Sequence, residues 1–365
     1  MAPIPNRLRS LDAFRGLTIA GMILVNNPGS WDHVYAPLRH AAWHGWTPTD
    51  LIFPFFLFIV GVAMPFSFAQ RHASPAPVIA LYGHILKRSL ILFGLGLCLN
   101  GFPSYQLNTI RIPGVLQRIA VVYAGAAVVT LHTRPSGQLG VASFLLLGYW
   151  GLMALVPVPG HGAGILTPEG NLAAYIDHAV LPGHTYKSTW DPEGILSTLP
   201  AIATTLSGVW VGQFIRAQPP TGARTGALLL LGGIAIALGL GWHQWFPINK
   251  NLWTSSYVVF TSGAAIFCLA VCYGLIEVCG WRRWAQPAIV YGMHALAIFV
   301  LSGLVARITM LMQVEDLPLK AWLYEHVFAA LAGPINGSLA FAVANVLVWL
   351  GVAFWLYQRR VFIKL

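Results

Sequence analysis

Residues 26–67 read NNPGSWDHVYAPLRHAAWHGWTPTDLIFPFFLFIVGVAMPFS. This stretch decides the fold, because a loop dense in ionisable and aromatic side chains runs straight into an apolar segment of membrane-spanning quality. The loop holds Asp32, His33, Arg39, His40, His44 and Asp50, interleaved with Trp31, Tyr35, Trp43 and Trp46. Tryptophan and tyrosine concentrate where bilayer meets water. Thr47-Pro48-Thr49-Asp50 supplies a helix start: a threonine at the cap, a proline in the first turn, and an acid where the helix dipole favours one. Leu51 to Phe68 then continues without a charge, and Pro54 and Pro65 predict bends in that helix.

The rest of the chain has the same character. Of its 365 residues, 57% are hydrophobic and 9% charged, and the mean hydropathy is +0.68; an ordinary soluble domain is roughly 25% charged. Apolar spans near 11–28, 50–70, 82–100, 115–131, 139–158, 194–215, 225–246, 254–278, 286–312 and 337–357 predict about ten helices, each of the roughly 20 residues a bilayer requires. The fold class is therefore all-α, a polytopic transmembrane helix bundle. No internal repeat, low-complexity segment or long linker divides residues 1–365, so a single transmembrane domain is expected.

Leu11 to Val25 follows Arg7 and Arg9 in the manner of a signal peptide, but Asp12 and Arg15 interrupt it and no small-residue cleavage site follows. It reads as a retained first helix. An even number of spans leaves both termini on one side. That side collects twice as many lysines and arginines as the other, among them Arg7, Arg9, Lys87, Arg88, Arg282, Arg283, Arg359 and Arg360, so both termini are expected in the cytoplasm. The opening loop is then extracytoplasmic. Of the eleven acids, all but Asp12 and Glu277 fall on the far side. There they are either solvated loop charge or partners for a cationic or polyhydroxyl substrate. The net charge of +10 follows from the cytoplasmic ends, and no basic, aromatic-interleaved groove accompanies it, so no nucleic-acid partner is expected. Cys98, Cys268, Cys272 and Cys279 sit in predicted spans or at a cytoplasmic end and suggest neither a disulfide framework nor a zinc site.

The candidate functional residues gather at the helix ends. Asn26 and Asn27 close the first helix, where an amide either caps the helix or holds a carbonyl. Lys87 and Arg88 either snorkel to lipid phosphates or hold an anionic ligand entering from the cytoplasm. Gly94 to Gly101 resembles a phosphate loop only superficially, since it lies inside a span without a strand before it. Arg111 and Arg118 stand on the extracytoplasmic side against the charge bias, which points to an ion pair or a ligand. Asp191 and Glu193 bracket a proline at the mouth of the sixth helix, as caps or as acceptors for sugar hydroxyls or an amine. Asn249 and Lys250 form a second polar entrance on that side. His294, in mid-span, is expected to face the interior and bond a backbone carbonyl. In the opening loop His40 is the natural general base or acyl acceptor, and Asp50 is placed to fix its tautomer. His33, His40 and His44 match no metal-ligand spacing, and no metal is expected.

Seven segments together carry a family resemblance: LDAFRGLTIAGMILVNN (11–27), LRHAAWHGWTPTDLIFPFFLFIVG (38–61), KRSLILFGLGL (87–97), IRIPGVLQRIAV (110–121), WDPEGILSTLPAIATTLSGVWVG (190–212), NKNLWTSSYVVFTSG (249–263) and RRVFIKL (359–365). The chain resembles the catalytic membrane region of heparan-alpha-glucosaminide N-acetyltransferase and its bacterial NagX-type relatives. That resemblance implies a multi-pass acyltransferase of the bacterial inner membrane. It would take acetyl-CoA from the cytoplasm and pass the acetyl group to a glucosamine or related amino-sugar amine on the far side. It implies His40, Asn26 and Asp50 as the catalytic set, Asp191 and Glu193 (the DPEG acids) with Asn249 and Lys250 toward the acceptor, and Arg88 with Lys87, Arg282 and Arg283 on the CoA phosphates. The expected partners are acetyl-CoA, the amino sugar, the lipid bilayer and a second copy in a homodimer. Two departures stand out: the human-type enzyme's large N-terminal lumenal domain has no counterpart here, and Ser302 aligns where that enzyme has a second histidine, while His294 takes the place of an asparagine. The alternative reading for the bacterial branch is an amino-sugar transporter, although transporters arrange broken helices as repeats and no repeat is detectable.

Overall fold

The first helix, α1 (Arg9–Asn26), begins two residues before the predicted apolar run and ends where Asn27 turns the chain out of helical geometry. Its Arg9, Asp12 and Arg15 make it more polar than the helices that follow. The structure is a computed structural model that describes residues 8–72 and 78–362; residues 73–77, in the short cytoplasmic turn that the spans predict after the second helix, and the end of the last motif lie outside the described residues.

Apolar length explains most of what comes next. After a 3₁₀ turn at Pro48–Leu51, the chain forms α2 (Ile52–His72), α3 (Val78–Gly101), α4 (Val115–His132), α5 (Pro135–Leu155), the short α6 (Leu172–Val180), α7 (Thr198–Arg216), α8 (Gly222–Trp242) and α9 (Ser255–Tyr273), the last running on as a π-helical turn. Then come α10 (Gln286–Met293), α11 (Ala295–Leu311), a two-residue hairpin of β1 (Gln313–Val314) and β2 (Leu317–Pro318), α12 (Leu319–Leu323), α13 (Ala330–Ala332) and α14 (Pro334–Gln358). Among the described residues, eight helices are long and apolar enough to cross a membrane, and α10 with α11 makes a ninth if that pair is one span. Adding the more polar α1 recovers the ten segments read from the sequence. The protein is an all-α polytopic membrane bundle.

The chain packs as two compact units, one of residues 8–40, 47–52 and 268–362, the other of Ala41–Trp46 and Phe53–Phe267. In the first unit α1 lies directly on α10. A Cβ on Gly16 would stand 1.7 Å from the Ala288 carbonyl oxygen, and one on Gly292 would stand 2.0 Å from that of Asp12. Backbones meet at this distance only where side chains are missing, which is how helices associate when lipid offers no hydrophobic drive. The α10–α11 pair departs from the single span predicted over 286–312: it bends by 76° at His294, whose φ of −112° and ψ of 15° leave the helical region. His294 is buried, and its Nδ1 lies 2.9 Å from the Val290 carbonyl oxygen, as expected. A carbonyl only accepts, so Nδ1 carries the proton. The ring stacks on Phe362 at 5.5 Å.

In the second unit, Met64, Phe68, Leu81, Ile85, Tyr123, Leu206 and Val209 close a core between α2, α3, α4 and α7. A second core joins Tyr149, Met153, Leu172, Phe246 and Leu252, with the Tyr149 hydroxyl donating to the Leu252 carbonyl at 2.5 Å. Helices α7 and α9 are central, 61% and 67% of their apolar windows being buried, whereas α5 and α8 bury only 17%. Phe144, Leu147, Leu230 and Leu238 point outward from those two helices. Each would cost roughly 1.5–3 kcal/mol to leave in water, so these faces are lipid-facing.

Candidate functional site

The turn that starts α2 builds the first cluster, in the unit that holds His40 and Asp50. Thr47 and Asp50 form a reciprocal capping box with Pro48 in the first turn: the Thr47 backbone N–H donates to Asp50 Oδ2 at 3.0 Å, satisfying an amide that helix geometry would leave orphaned. The Thr47 hydroxyl lies 2.7 Å from the Arg39 carbonyl oxygen, and Arg39 spends its own donors on the Val34 carbonyl at 2.8 Å and the Asp32 carbonyl at 3.2 Å. This places the other carboxylate oxygen, Asp50 Oδ1, 2.7 Å from His40 Nδ1.

The burial is asymmetric in a chemically useful way. The Asp50 side chain is 1% exposed and that of His40 is 44% exposed. A carboxylate accepts, so Nδ1 carries the proton and the basic lone pair sits on Nε2. A fixed tautomer backed by a buried acid can take a proton from a nucleophile and give the resulting imidazolium a counter-charge. Asn26 ends α1 with an exposed side chain. Asn27 next to it caps the helix, as expected, donating Nδ2–H to the Ile23 carbonyl at 2.9 Å.

The second unit holds the other acids. Arg111 forks onto Asp191, Nε to Oδ2 at 2.8 Å and Nη2 to Oδ1 at 2.6 Å, and Nη2 also donates to Glu193 Oε2. Asp191 further accepts from the Tyr186 N–H at 2.7 Å and the Glu193 N–H at 2.9 Å, so each of its oxygens already serves two donors. Burial opposes the Arg111 charge, but the hydrogen bonds and charges of Asp191 and Glu193 outweigh it and push its pKa above the ordinary guanidinium value. The ion pair that Arg111's position against the charge bias suggested is therefore present. Neither acid caps α7, which starts only at Thr198.

Arg118, singled out with Arg111 by the charge bias, and Asp177, which carried no signal of its own in the sequence, complete this cluster. Asp177 on α6 accepts the Ile195 N–H at 2.7 Å. Burial and then the charge of Asp191 raise its pKa to about 6, against the opposing Ile195 bond and Arg118. Only glycine fits at position 194 beside it, since a Cβ there would stand 1.8 Å from Asp177 Oδ2. Arg118, fully enclosed, donates to the Gly194 carbonyl at 3.0 Å and to Ser197 Oγ at 2.5 Å, with its guanidinium 5.0 Å over the Trp253 ring. The DPEG turn is thus held between two arginines, and Asp177 was unreadable because an acid on a short helix carries no spacing signal.

The remaining candidates are scattered. Asn249 is fully buried, its Oδ1 accepting the Leu252 N–H at 2.9 Å and its Nδ2 lying 3.3 Å from His44 Nδ1; Lys250 beside it is half-buried. Arg88 on α3 packs its guanidinium 4.7 Å over Tyr123, with Lys87 exposed next to it. Arg282 and Arg283 are exposed between α9 and α10, in the other unit from Lys87 and Arg88. Ser302 is buried on α11 and donates to the Phe299 carbonyl at 3.1 Å.

Comparison with known proteins covers most of these residues. A family model described as "Heparan-alpha-glucosaminide N-acetyltransferase, catalytic" matches residues 7–223, more than half of the chain, and that segment includes Asn26, His40, Asp50, Arg111, Asp191 and Glu193. The human heparan-alpha-glucosaminide N-acetyltransferase is 32% identical over 361 residues, covering 82% of this chain and 53% of the human one. The mouse protein of the same name is 31% identical over 356 residues, covering 81% and 53%. The chain spans about half the length of these curated relatives. It belongs to the heparan-alpha-glucosaminide N-acetyltransferase family.

Proposed function

We propose that the chain is a transmembrane N-acetyltransferase of the bacterial inner membrane. It takes the acetyl group of acetyl-CoA from the cytoplasmic side and transfers it to the amine of glucosamine or a related amino sugar at the extracytoplasmic face. The observation that carries this reading is the His40–Asp50 pair, 2.7 Å apart on a capped turn, within the segment matched by the catalytic family model.

The chemistry needs a base and an oxyanion donor. The amine nitrogen attacks the thioester carbonyl carbon, forming the C–N bond. Its proton passes to His40 Nε2, and the carbonyl oxygen takes up negative charge that the Asn26 amide stabilises. Collapse breaks the C–S bond, and the CoA thiolate leaves with the proton returned by His40. Asp50 holds the Nδ1–H throughout. With serine rather than histidine at position 302, direct transfer in a ternary complex is preferred to an acetyl-histidine relay. Arg88, Lys87, Arg282 and Arg283 supply cations for the CoA phosphates. The acceptor sugar is assigned to Asp191, Glu193, Asn249 and Lys250, with Arg111 held on the two acids. A homodimer is the assembly proposed.

A second reading, amino-sugar transport, draws on one observation, the 76° break at His294, since transporters build binding sites at interrupted helices. Purified protein reconstituted in lipid, given acetyl-CoA and glucosamine, tests both readings. N-acetylglucosamine formed at a steady rate supports the transferase, whereas sugar uptake without acetylation supports the transporter.

A further inference from the structure

The segment that begins one peptide bond after His40 is fastened by two histidines that the proposed chemistry does not use. Because Asn249 Oδ1 accepts from Leu252, the atom 3.3 Å from His44 Nδ1 is the amide nitrogen, which only donates. His44 therefore accepts at Nδ1. His243, at the end of α8, is fixed in the same way, its Nδ1 accepting the Ile248 N–H at 2.9 Å. Between these two bonds the Gly45 N–H donates to the Ile248 carbonyl at 2.8 Å. Trp43 Nε1–H donates to the Leu166 carbonyl at 2.7 Å, and the Trp46 ring rests 4.7 Å from that of Phe260.

Both imidazoles hold their partners only while Nδ1 keeps its lone pair. A proton at either Nδ1 turns an acceptor toward a donor and breaks the bond. On the segments that make these bonds the titratable or charged side chains are His44, His243 and Lys250; the α5–α6 connection, which reaches them through the Leu166 carbonyl, carries His161 and Glu169, and the α6–α7 connection, which reaches them through the Trp190 ring, carries His184, Tyr186, Lys187, Asp191 and Glu193. Burial first, then the charge of His243, keeps the His44 pKa below its ordinary value of 6.5. A group lowered in this way contributes its hold fully above that ordinary value and loses it as the pH falls through the lowered one.

We infer that His44 and His243 are positioning residues for His40, forming a clasp that fixes segment 41–46 at neutral pH and releases it in acid. The clasp stands on geometry alone; only its effect on His40 rests on the acetyltransferase reading. The test is hydrogen exchange of the 41–46 peptide in the purified full chain, corrected for intrinsic rates, together with the pH profile of transfer. Wild type should lose protection roughly fivefold or more between about pH 8 and about pH 5. His44→Asn, whose Oδ1 replaces Nδ1 without titrating, should keep protection across that range and show an acid limb of kcat shallower by about one proton. His44→Leu should lack protection at both ends. Protection that ignores pH in wild type, or survives intact in His44→Leu, overturns the inference, and so does an acid limb unchanged in His44→Asn. If no variant transfers acetyl but the pH-dependent protection remains, the clasp stands and the transferase reading fails.

Discussion

Replacing Asp50 by asparagine changes one oxygen into an amide nitrogen and leaves the shape almost untouched. In the structure Asp50 Oδ2 takes the Thr47 N–H at 3.0 Å while Oδ1 meets His40 Nδ1 at 2.7 Å. An asparagine must keep its remaining oxygen on Thr47, because that backbone group only donates, so the new NH₂ faces His40. Nδ1 then has to accept, and the imidazole proton moves to Nε2, the atom that should act as base. A tautomer error of this kind costs a serine-protease triad roughly 10⁴ in rate. A general base is worth about 10² to 10⁴, so Asp50→Asn should lose transfer by that factor, about 2.7–5.4 kcal/mol at 1.36 kcal/mol per decade. Stability should fall by no more than about 1 kcal/mol, since asparagine still satisfies the cap. The assay is acetyl transfer to glucosamine by purified protein, with acetyl-CoA binding and the melting temperature measured on the same sample. A variant that keeps more than about a tenth of wild-type transfer, fully folded, would refute the role given to Asp50.

The Asp177 carboxyl rises from 3.8 to about 6 on folding, so folding favours its protonated form: its contribution is complete below the ordinary value and is lost as the pH rises through about 6. Wild type should therefore be less stable at pH 8 than at pH 5 by about 1.4 kcal/mol from this group, at 1.36 kcal/mol per unit, and Asp177→Asn should flatten that dependence in a thermal melt. Gly194→Ala drives a methyl to within 1.8 Å of Asp177 Oδ2, and about 1–3 kcal/mol of lost stability is expected from the forced shift; an unchanged melting temperature would mean the DPEG turn is loosely held. Arg88→Ala should weaken acetyl-CoA binding by about 1.5–3 kcal/mol, the worth of a charge-assisted contact, and an affinity unchanged across a salt series would remove Arg88 from the phosphate site.

Much of the fold was legible because a bilayer makes apolar length nearly sufficient: the runs that became α2 to α5, α7 to α9 and α14 needed no tertiary information. Where local context did not decide, the sequence was silent. The break at His294 follows no proline or glycine pair, and α6 sits in a stretch read only as loop. The His40–Asp50 contact was legible because ten residues and a Thr-x-x-Asp cap bring its partners together locally. Arg111 announced an ion pair by standing against the charge bias, yet its partners lie 80 and 82 residues away. Asp191 and Glu193 looked equally suited to a helix cap or a sugar. Their pairing with Arg111 depends on how two distant turns meet. The His44–His243 fastening was invisible for the same reason.

The measurement that bears most directly on the account is acetyl transfer from acetyl-CoA to glucosamine by purified His40→Ala beside wild type, with donor binding followed in the same preparations. His40→Ala should fold, bind acetyl-CoA as wild type does, and transfer more slowly by about 10² to 10⁴, with no acetylated protein trapped from wild type by donor alone. Wild-type rates in His40→Ala would contradict the site assignment, and an acetyl group recovered on His40 from donor alone would contradict direct transfer.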